Sequence, residues 1–149
     1  MRIDAFLQES PMFAVSRTAR SFEALANRTF GADDLNFLEG LILTAIFFEA
    51  PRQVKPSQLA DVFSTTRGNI SHSISSLEGK GLVQRKIDPL DARAYLLALK
   101  PPGKKCAMRV ISALDKLQRD FEKKAGKTAL KEALGVMRVL EEIATSSQE

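Results

Sequence analysis

The chain has 149 residues, a length that allows one compact domain with a sizeable core, with or without helical arms. Its net charge is only +4, but residues 55–105 hold nine Lys/Arg and four Asp/Glu, a net +5, whereas the rest holds thirteen and fourteen, a net −1. One cysteine excludes an internal disulfide and fits a reducing cytoplasm. The first 30 residues lack the apolar run of a signal peptide, and the longest apolar run, residues 41–48, is too short to span a bilayer. We therefore expect a cytoplasmic protein without a membrane segment.

Two helices are predicted in the N-terminal third of the chain. Ser10-Pro11 is a typical helix start, because proline at the first helical position lacks the N–H that would stay unpaired there. Phe30-Gly31 ends this helix, and Asp33 is predicted to cap the next one. That second helix is apolar on nearly all sides until Ala50-Pro51 stops it, so we expect it to be central and buried.

The following stretch predicts a short helix, a tight turn and another helix. Pro56 suits the first position of the short helix, and the hydroxyl residues 64–66 can close the turn and cap the helix after it. In that helix Ile70, Ile74 and Leu77 recur at helical spacing, which predicts a buried stripe.

The opposite face of the same helix is polar and rich in hydrogen-bond donors: Thr66, Arg67, Asn69, His72, Ser73 and Ser76. An α-helix fits the major groove, where such side chains can bond base edges or phosphates. On an isolated helix these residues would more simply form a solvated surface. Their position between a tight turn and a predicted hairpin favours DNA binding.

Residues 82–87 and 95–99 are two β-like runs joined by a charged turn, which predicts a hairpin. Arg93 lies at the base or tip of this hairpin, where an arginine can enter the narrow minor groove. Asp91 is placed to hold Arg93 through a charge-assisted bond, although an ordinary surface ion pair is the alternative interpretation.

Two apolar stripes at helical spacing follow the hairpin, and Gly126 separates them: Ala107, Val110, Ile111, Leu114, Leu117 and Phe121, then Leu130, Leu134, Met137, Leu140 and Ile143. Each stripe needs a partner surface. An interlocked two-fold dimer supplies one, whereas completion of a monomeric core is the alternative. A dimer would hold two reading helices about 34 Å apart, the spacing of successive major grooves on one face of B-DNA.

Within residues 55–105 five segments form a known pattern: Gln58-Leu59-Ala60, Ile70-Ser71, Leu77-Glu78-Gly79-Lys80-Gly81-Leu82-Val83-Gln84-Arg85, Asp88-Pro89-Leu90-Asp91-Ala92-Arg93-Ala94 and Leu99-Lys100. The pattern resembles the winged helix-turn-helix of the multiple antibiotic resistance regulator (MarR) family. His72 and Ala92 stand where the family often has arginine, and Lys55 stands where a capping Thr or Ser is usual. The resemblance implies a homodimeric DNA-binding regulator.

We therefore predict a mainly α-helical fold: a winged helix-turn-helix lobe at residues 32–103 with a small β-hairpin wing, between dimerisation helices at residues 1–31 and 104–149. The protein would be a homodimeric transcriptional regulator, most simply a repressor, on double-stranded DNA with a pseudo-palindromic operator. Lys55 and Lys80 would neutralise phosphates. The predicted DNA contacts are Thr66, Arg67, Asn69, Ser71, His72, Ser73, Arg85, Lys86 and Arg93.

Family members often bind small anionic aromatic compounds between the dimer helices and the DNA-binding lobe. The resemblance implies such an effector site at Phe13, Arg17, Phe22, Phe47 and Phe48, although aromatic residues of this kind are more commonly plain core. No catalytic, metal or cofactor site is predicted, because His72 is the only histidine and Cys106 the only cysteine. We expect Cys106 to be unreactive. The alternative function is a winged-helix adaptor that binds a protein without binding DNA, favoured only by His72 and Ala92.

Overall fold

A computed structural model describes residues 2–146 of the chain. Within them it has seven α-helices and one hairpin, in the order α1 (Arg2–Glu9), α2 (Pro11–Phe30), α3 (Phe37–Glu49), α4 (Pro56–Val62), α5 (Arg67–Gly79), β1 (Val83–Asp88), β2 (Asp91–Leu99), α6 (Pro101–Ala125) and α7 (Lys127–Ser146). The described residues form two compact units, one up to Ile111 and one from Ser112 onward. Met1 and residues 147–149 of the predicted dimerisation segments lie outside the described residues.

The N-terminal helices begin at sites that the sequence predicts only in part. Ser10 is the N-cap of α2 and Pro11 its first residue, as predicted, whereas α1 was not predicted. The prediction that Asp33 caps α3 is wrong. Asn36 is the cap: its side chain accepts from the N–H of Glu39 at 2.8 Å, and the Glu39 carboxylate accepts from the N–H of Asn36 at 3.0 Å. This reciprocal pair is a capping box.

Helix α3 is central, but its burial is partial: five of its residues are buried, and its last two, Phe48 and Glu49, are exposed. Ile42, Leu43 and Ile46 are almost completely buried, whereas Phe48 is 67% exposed. Burial on nearly all sides is therefore not found in the single chain. The core around α3 also contains the predicted stripe of α5 and residues of the hairpin and α6: Ile70, Ile74, Leu77, Val83, Leu97, Ala107 and Val110.

The predicted hairpin is confirmed, with β1 and β2 antiparallel and Ile87 opposite Tyr95. Helix α6 begins earlier than expected, so that residues 101–103 form its first turn instead of merely ending the strand. This turn lies directly against the residue that precedes β1. A Cβ atom on Gly103 would collide with the carbonyl oxygen of Leu82, so only glycine fits there.

Gly126 separates α6 from α7 with a positive φ of 85°, which confirms the predicted break. No residue of α7 is buried within the described chain. Three members of its predicted stripe, Leu134, Met137 and Ile143, are 54%, 49% and 58% exposed. Across residues 2–146, none of the helices combines the length and the apolar character needed to cross a bilayer.

Candidate nucleic-acid interface

The turn between α4 and α5 fixes where α5 begins. Ser64 adopts the left-handed conformation with a φ of 48°, and the N–H of Thr65 returns to the carbonyl of Ala60 at 3.0 Å. Thr66 is the N-cap of α5, because its hydroxyl accepts from the backbone N–H of Asn69 at 3.1 Å. The predicted turn and cap are therefore confirmed, and they orient the first turn of α5.

The first half of α5 and its cap present a polar face to solvent. Five predicted contact residues are exposed there: Thr66, Arg67, Asn69, Ser71 and His72. The Asn69 amide donates to the hydroxyl of Thr65 at 3.1 Å, which orients that side chain. A helix face with exposed donors and acceptors suits readout in the major groove.

Ser73 does not belong to this face. It is only 4% exposed, because it lies three residues after Ile70 and four before Leu77, on the side of the buried stripe. The structure thus contradicts the prediction that Ser73 reaches DNA. The helical spacing of the sequence already carried this signal.

Lys86 and Arg93 are exposed on the hairpin, as a DNA contact requires. The expected bond between Asp91 and the Arg93 guanidinium is not found in the described residues; the Asp91 carboxylate accepts from the backbone N–H of Arg93 at 3.0 Å instead. The Asp88 carboxylate accepts from the N–H of Leu90 at 2.9 Å. Both carboxylates therefore stabilise the hairpin turn.

Arg85 and Lys55, two of the predicted basic contacts, are engaged within the chain. Arg85 Nη1 lies 3.1 Å from Glu78 Oε2, and its Nη2 donates to the Ser75 hydroxyl at 3.0 Å. Lys55 Nζ lies 2.9 Å from Asp88 Oδ2. This bond raises the pKa of Lys55 and is the first cause that lowers the pKa of Asp88.

Lys80 is engaged in the same way, at a buried carboxylate that the sequence analysis missed. Glu39 is 3% exposed and accepts from Lys80 Nζ at 3.1 Å, while Lys80 also donates to the Asp34 carbonyl. Burial by itself would raise the pKa of Glu39, but bonds from Ser76, Asn36 and Lys80 together hold it below its usual value. The cluster joins the start of α3 to the end of α5. Its only local signal was the Asn-x-x-Glu spacing of the capping box.

Cys106 is enclosed in the first turns of α6. Burial first, and then the charge of Asp33, raise the pKa of its thiol. Asp33 is itself held by Arg109, whose Nε and Nη2 lie 3.0 Å and 2.5 Å from Asp33 Oδ1. A buried thiol that stays protonated is a poor nucleophile, which agrees with the prediction that Cys106 is unreactive.

The structure does not bring the five predicted effector residues together. Phe13 and Arg17 line a hollow on α1 and α2. The ring of Phe22 packs edge-on against the first residue of α3, with centroids 5.4 Å apart. Phe47 and Phe48 pack on each other at 6.0 Å near the end of α3. None of the pockets described for residues 2–146 is lined by all five of these residues, and the effector site stays a prediction.

Comparison with known proteins agrees with this architecture. Residues 40–95, from α3 into β2, match the family model of the MarR family. A relative from Thauera aromatica, named "Putative transcriptional regulatory protein for hcr operon", is 30% identical over 84 residues. That match covers 56% of this chain and 51% of the relative, so it spans about half the length of that protein.

Solved structures share the fold over nearly the whole chain. The S. aureus MepR–DNA complex has a TM-score of 0.78 at 17% identity, over 92% of this chain and 98% of the MepR chain. The PcaV transcriptional regulator from Streptomyces coelicolor, solved with its natural ligand, has a TM-score of 0.81 at 19% identity, over 93% and 96%. The predicted mainly α-helical winged fold is thus confirmed. MarR family regulators are non-enzymatic transcription factors, in agreement with the prediction of no catalytic activity. Residues 40–95 of this chain therefore match the model of the MarR family, and the chain as a whole shares the winged helix-turn-helix fold of the solved MarR family regulators.

Proposed function

We propose that this protein is a cytoplasmic transcriptional regulator that binds a pseudo-palindromic DNA operator as a homodimer and represses transcription there. The observation that carries the proposal is the exposed polar face of α5 beside a hairpin with two exposed basic residues, Lys86 and Arg93. The net charge of +5 in residues 55–105 adds the electrostatic attraction that DNA binding needs.

In this proposal α5 enters the major groove and the hairpin lies along the adjacent minor groove. The α5 contacts are Thr66, Arg67, Asn69, Ser71 and His72. A good base contact contributes about 1–3 kcal/mol of discrimination against a wrong base. Arg93 enters the minor groove, where the negative potential attracts a guanidinium, and Lys86 neutralises a phosphate.

Exposed apolar side chains support the dimer. In the unit up to Ile111, Phe6 and Phe13 are 59% and 44% exposed. In the unit from Ser112 onward, the stripe of α7 is about half exposed. Apolar surface of this kind is normally covered. A second copy of the chain is the occupant we propose, because two-fold symmetry offers each surface a matching one and also pairs two copies of α5.

Relief of repression by a small aromatic anion is the finer part of the proposal. It is supported by the hollow at Phe13, where Arg17 and Arg20 adjoin an apolar wall, and by the solved PcaV relative, which holds its natural ligand. A thermal-shift screen with phenolic acids tests it. We expect at least one compound to raise the melting temperature and to weaken DNA binding, and a screen without such a compound would contradict this part.

Selection of bound sites from random duplexes tests DNA binding itself. We expect enrichment of an inverted repeat whose half-sites are about 10 bp apart, one helical turn. Arg93→Ala should then weaken binding to the selected site in a mobility-shift assay without lowering the melting temperature, because Arg93 is exposed. A wild-type protein that binds no duplex at low salt would exclude the proposal and leave the winged-helix adaptor.

A further inference from the structure

Arg85 connects three elements of the winged helix-turn-helix. From β1 its guanidinium reaches both Glu78 and Ser75 on α5, and its backbone N–H donates to Glu78 Oε1 at 3.3 Å. The guanidinium carbon also lies 5.5 Å from the ring centre of Tyr95 on β2, a cation–π distance. Only 29% of the Arg85 side chain is exposed. One side chain therefore holds both strands against α5.

Lys55 makes a similar connection from the other side. It is the N-cap residue of α4, and its backbone N–H donates to Gln58 Oε1 at 2.8 Å. Its ammonium binds Asp88 at the end of β1, whose side chain is only 6% exposed. The same carboxylate accepts from the N–H of Leu90 in the hairpin turn. Lys55 therefore links the start of α4 to the turn of the hairpin.

These bonds oppose a role in neutralising phosphates. If Lys55 moved to a phosphate, the enclosed carboxylate of Asp88 would keep its charge without a cation, which is strongly unfavourable. A phosphate would likewise compete with Glu78 and Ser75 for the guanidinium of Arg85, only 29% of whose side chain is exposed. Lys86 and Arg93 differ: both are exposed, and within residues 2–146 no ion pair is described for either side chain.

We infer that Arg85 and Lys55 are positioning residues, which set the hairpin against α5 and α4 so that Arg93 and Lys86 reach DNA, and that neither is itself a phosphate contact. This inference rests on the proposed DNA binding and revises the role predicted for Arg85 and Lys55. It assigns the hairpin's contacts with DNA to its exposed basic side chains, Lys86 at a phosphate and Arg93 in the minor groove.

The salt dependence of DNA affinity separates a positioning residue from a phosphate contact. Each phosphate contact contributes about 0.9 to the slope of log affinity against log salt. We expect the control Lys86→Met to lower the slope by about that amount. Loss of a positioning residue also displaces Lys86 and Arg93, so the test is made in a Lys86→Met/Arg93→Ala background that already lacks the hairpin contacts. There Arg85→Gln and Lys55→Met should leave the slope unchanged, whereas loss of a phosphate contact would still lower it by about 0.9. A further fall of that size with either substitution in this background would overturn the inference for that residue.

A charge exchange gives a second, independent readout for Arg85. Arg85→Glu should reduce affinity severely, because it places two carboxylates side by side at Glu78. Adding Glu78→Arg restores an ion pair of reversed polarity, and we expect it to recover a large part of the affinity; Glu78→Arg alone is the control. A double variant no better than Arg85→Glu would show that the guanidinium is needed for DNA itself.

Folding and function can be distinguished in the same series. Circular dichroism and melting temperature establish which variants fold. If Arg85→Glu does not fold, the milder substitutions Arg85→Gln and Glu78→Gln, analysed as a double-mutant cycle, replace the charge exchange. Non-additive losses of affinity in that cycle support positioning, and additive losses overturn it. If wild-type protein binds no duplex, the proposed function fails. If wild type binds but the slope and exchange results go against Arg85 and Lys55, only the present inference fails.

Discussion

Helices α5 and α7 carry the same kind of apolar stripe, yet within residues 2–146 only the stripe of α5 is covered. Ile70, Ile74 and Leu77 on α5 are at most 1% exposed, whereas Leu134 and Ile143 on α7 are 54% and 58% exposed. Periodicity thus shows that a face must be covered, but it does not show which molecule covers it. The difference fits the proposed homodimer, in which one chain completes the core around α5 and a second copy would cover α7.

Truncation of one residue in each stripe is the most direct test of this comparison. Ile74→Ala leaves a cavity in a closed core and should lower the free energy of unfolding by about 2–5 kcal/mol at any protein concentration. The matched change Leu134→Ala should lower stability in a way that depends on protein concentration, because it weakens dimerisation. Urea denaturation at two concentrations, with sedimentation velocity, measures both. A concentration-independent effect of Leu134→Ala would contradict the dimer.

Gly103→Ala tests how tightly the closed region is packed. The added methyl group collides with the Leu82 backbone carbonyl, which cannot rotate away as a side chain can. We expect the free energy of unfolding to fall by about 1–3 kcal/mol, measured by urea denaturation. Gly79→Ala is the control, since no atom lies within 4 Å of its added Cβ and its φ is not positive. Equal effects of the two changes would refute the close contact.

The Glu39 cluster makes the stability of the closed region depend on pH. The pKa of Glu39 is lowered in the folded state, so its stabilising effect is fully present above the ordinary value of 4.5 and is lost as the pH falls through the folded value. Glu39→Gln should cost about 1–3 kcal/mol at pH 7. The difference between variant and wild type should shrink in acid. Denaturation at pH 7 and pH 3.5 measures this, and a constant difference would rule out the ionised carboxylate.

Gly135→Ala should change the free energy of unfolding least among these variants, and it should raise that free energy instead of lowering it. Apart from its own helix backbone, no described atom lies within 4 Å of the added Cβ in α7, and alanine favours the helix, so we expect the free energy of unfolding to rise by about 0.5–1 kcal/mol. Thermal unfolding measures it. A loss of stability instead would place the partner chain against this glycine and so locate the dimer interface on that side of α7.

The sequence predicted those features that depend on neighbours along the chain. The turn at residues 64–66, the stripe of α5, the hairpin and the break at Gly126 all follow from local spacing, and all are present. Asp33 was predicted as a cap because its type suits that position, but Arg109, 76 residues later, binds it. The burial of Ser73 was also predictable from its spacing and was missed.

The ion pairs that basic residues form within the chain could not be predicted from local spacing. Lys80 and Glu39 are 41 residues apart, and nothing in local periodicity relates them. All five basic residues count equally toward the positive charge of residues 55–105: Lys55, Lys80, Arg85, Lys86 and Arg93. Only the fold decides which of them already pair with a carboxylate. Counting positive charge therefore overestimates the number of cations that lack a carboxylate partner.

The junction between β1 and α6 has a mechanical consequence. The carbonyl of Leu82 accepts from the N–H of Lys100 at 2.9 Å and touches Gly103, so the base of the hairpin and the first turn of α6 share one stiff joint. We expect a tilt of that turn to swing the hairpin and carry Arg93 with it, so that the proposed groove contact would respond to strain that arises far from the DNA.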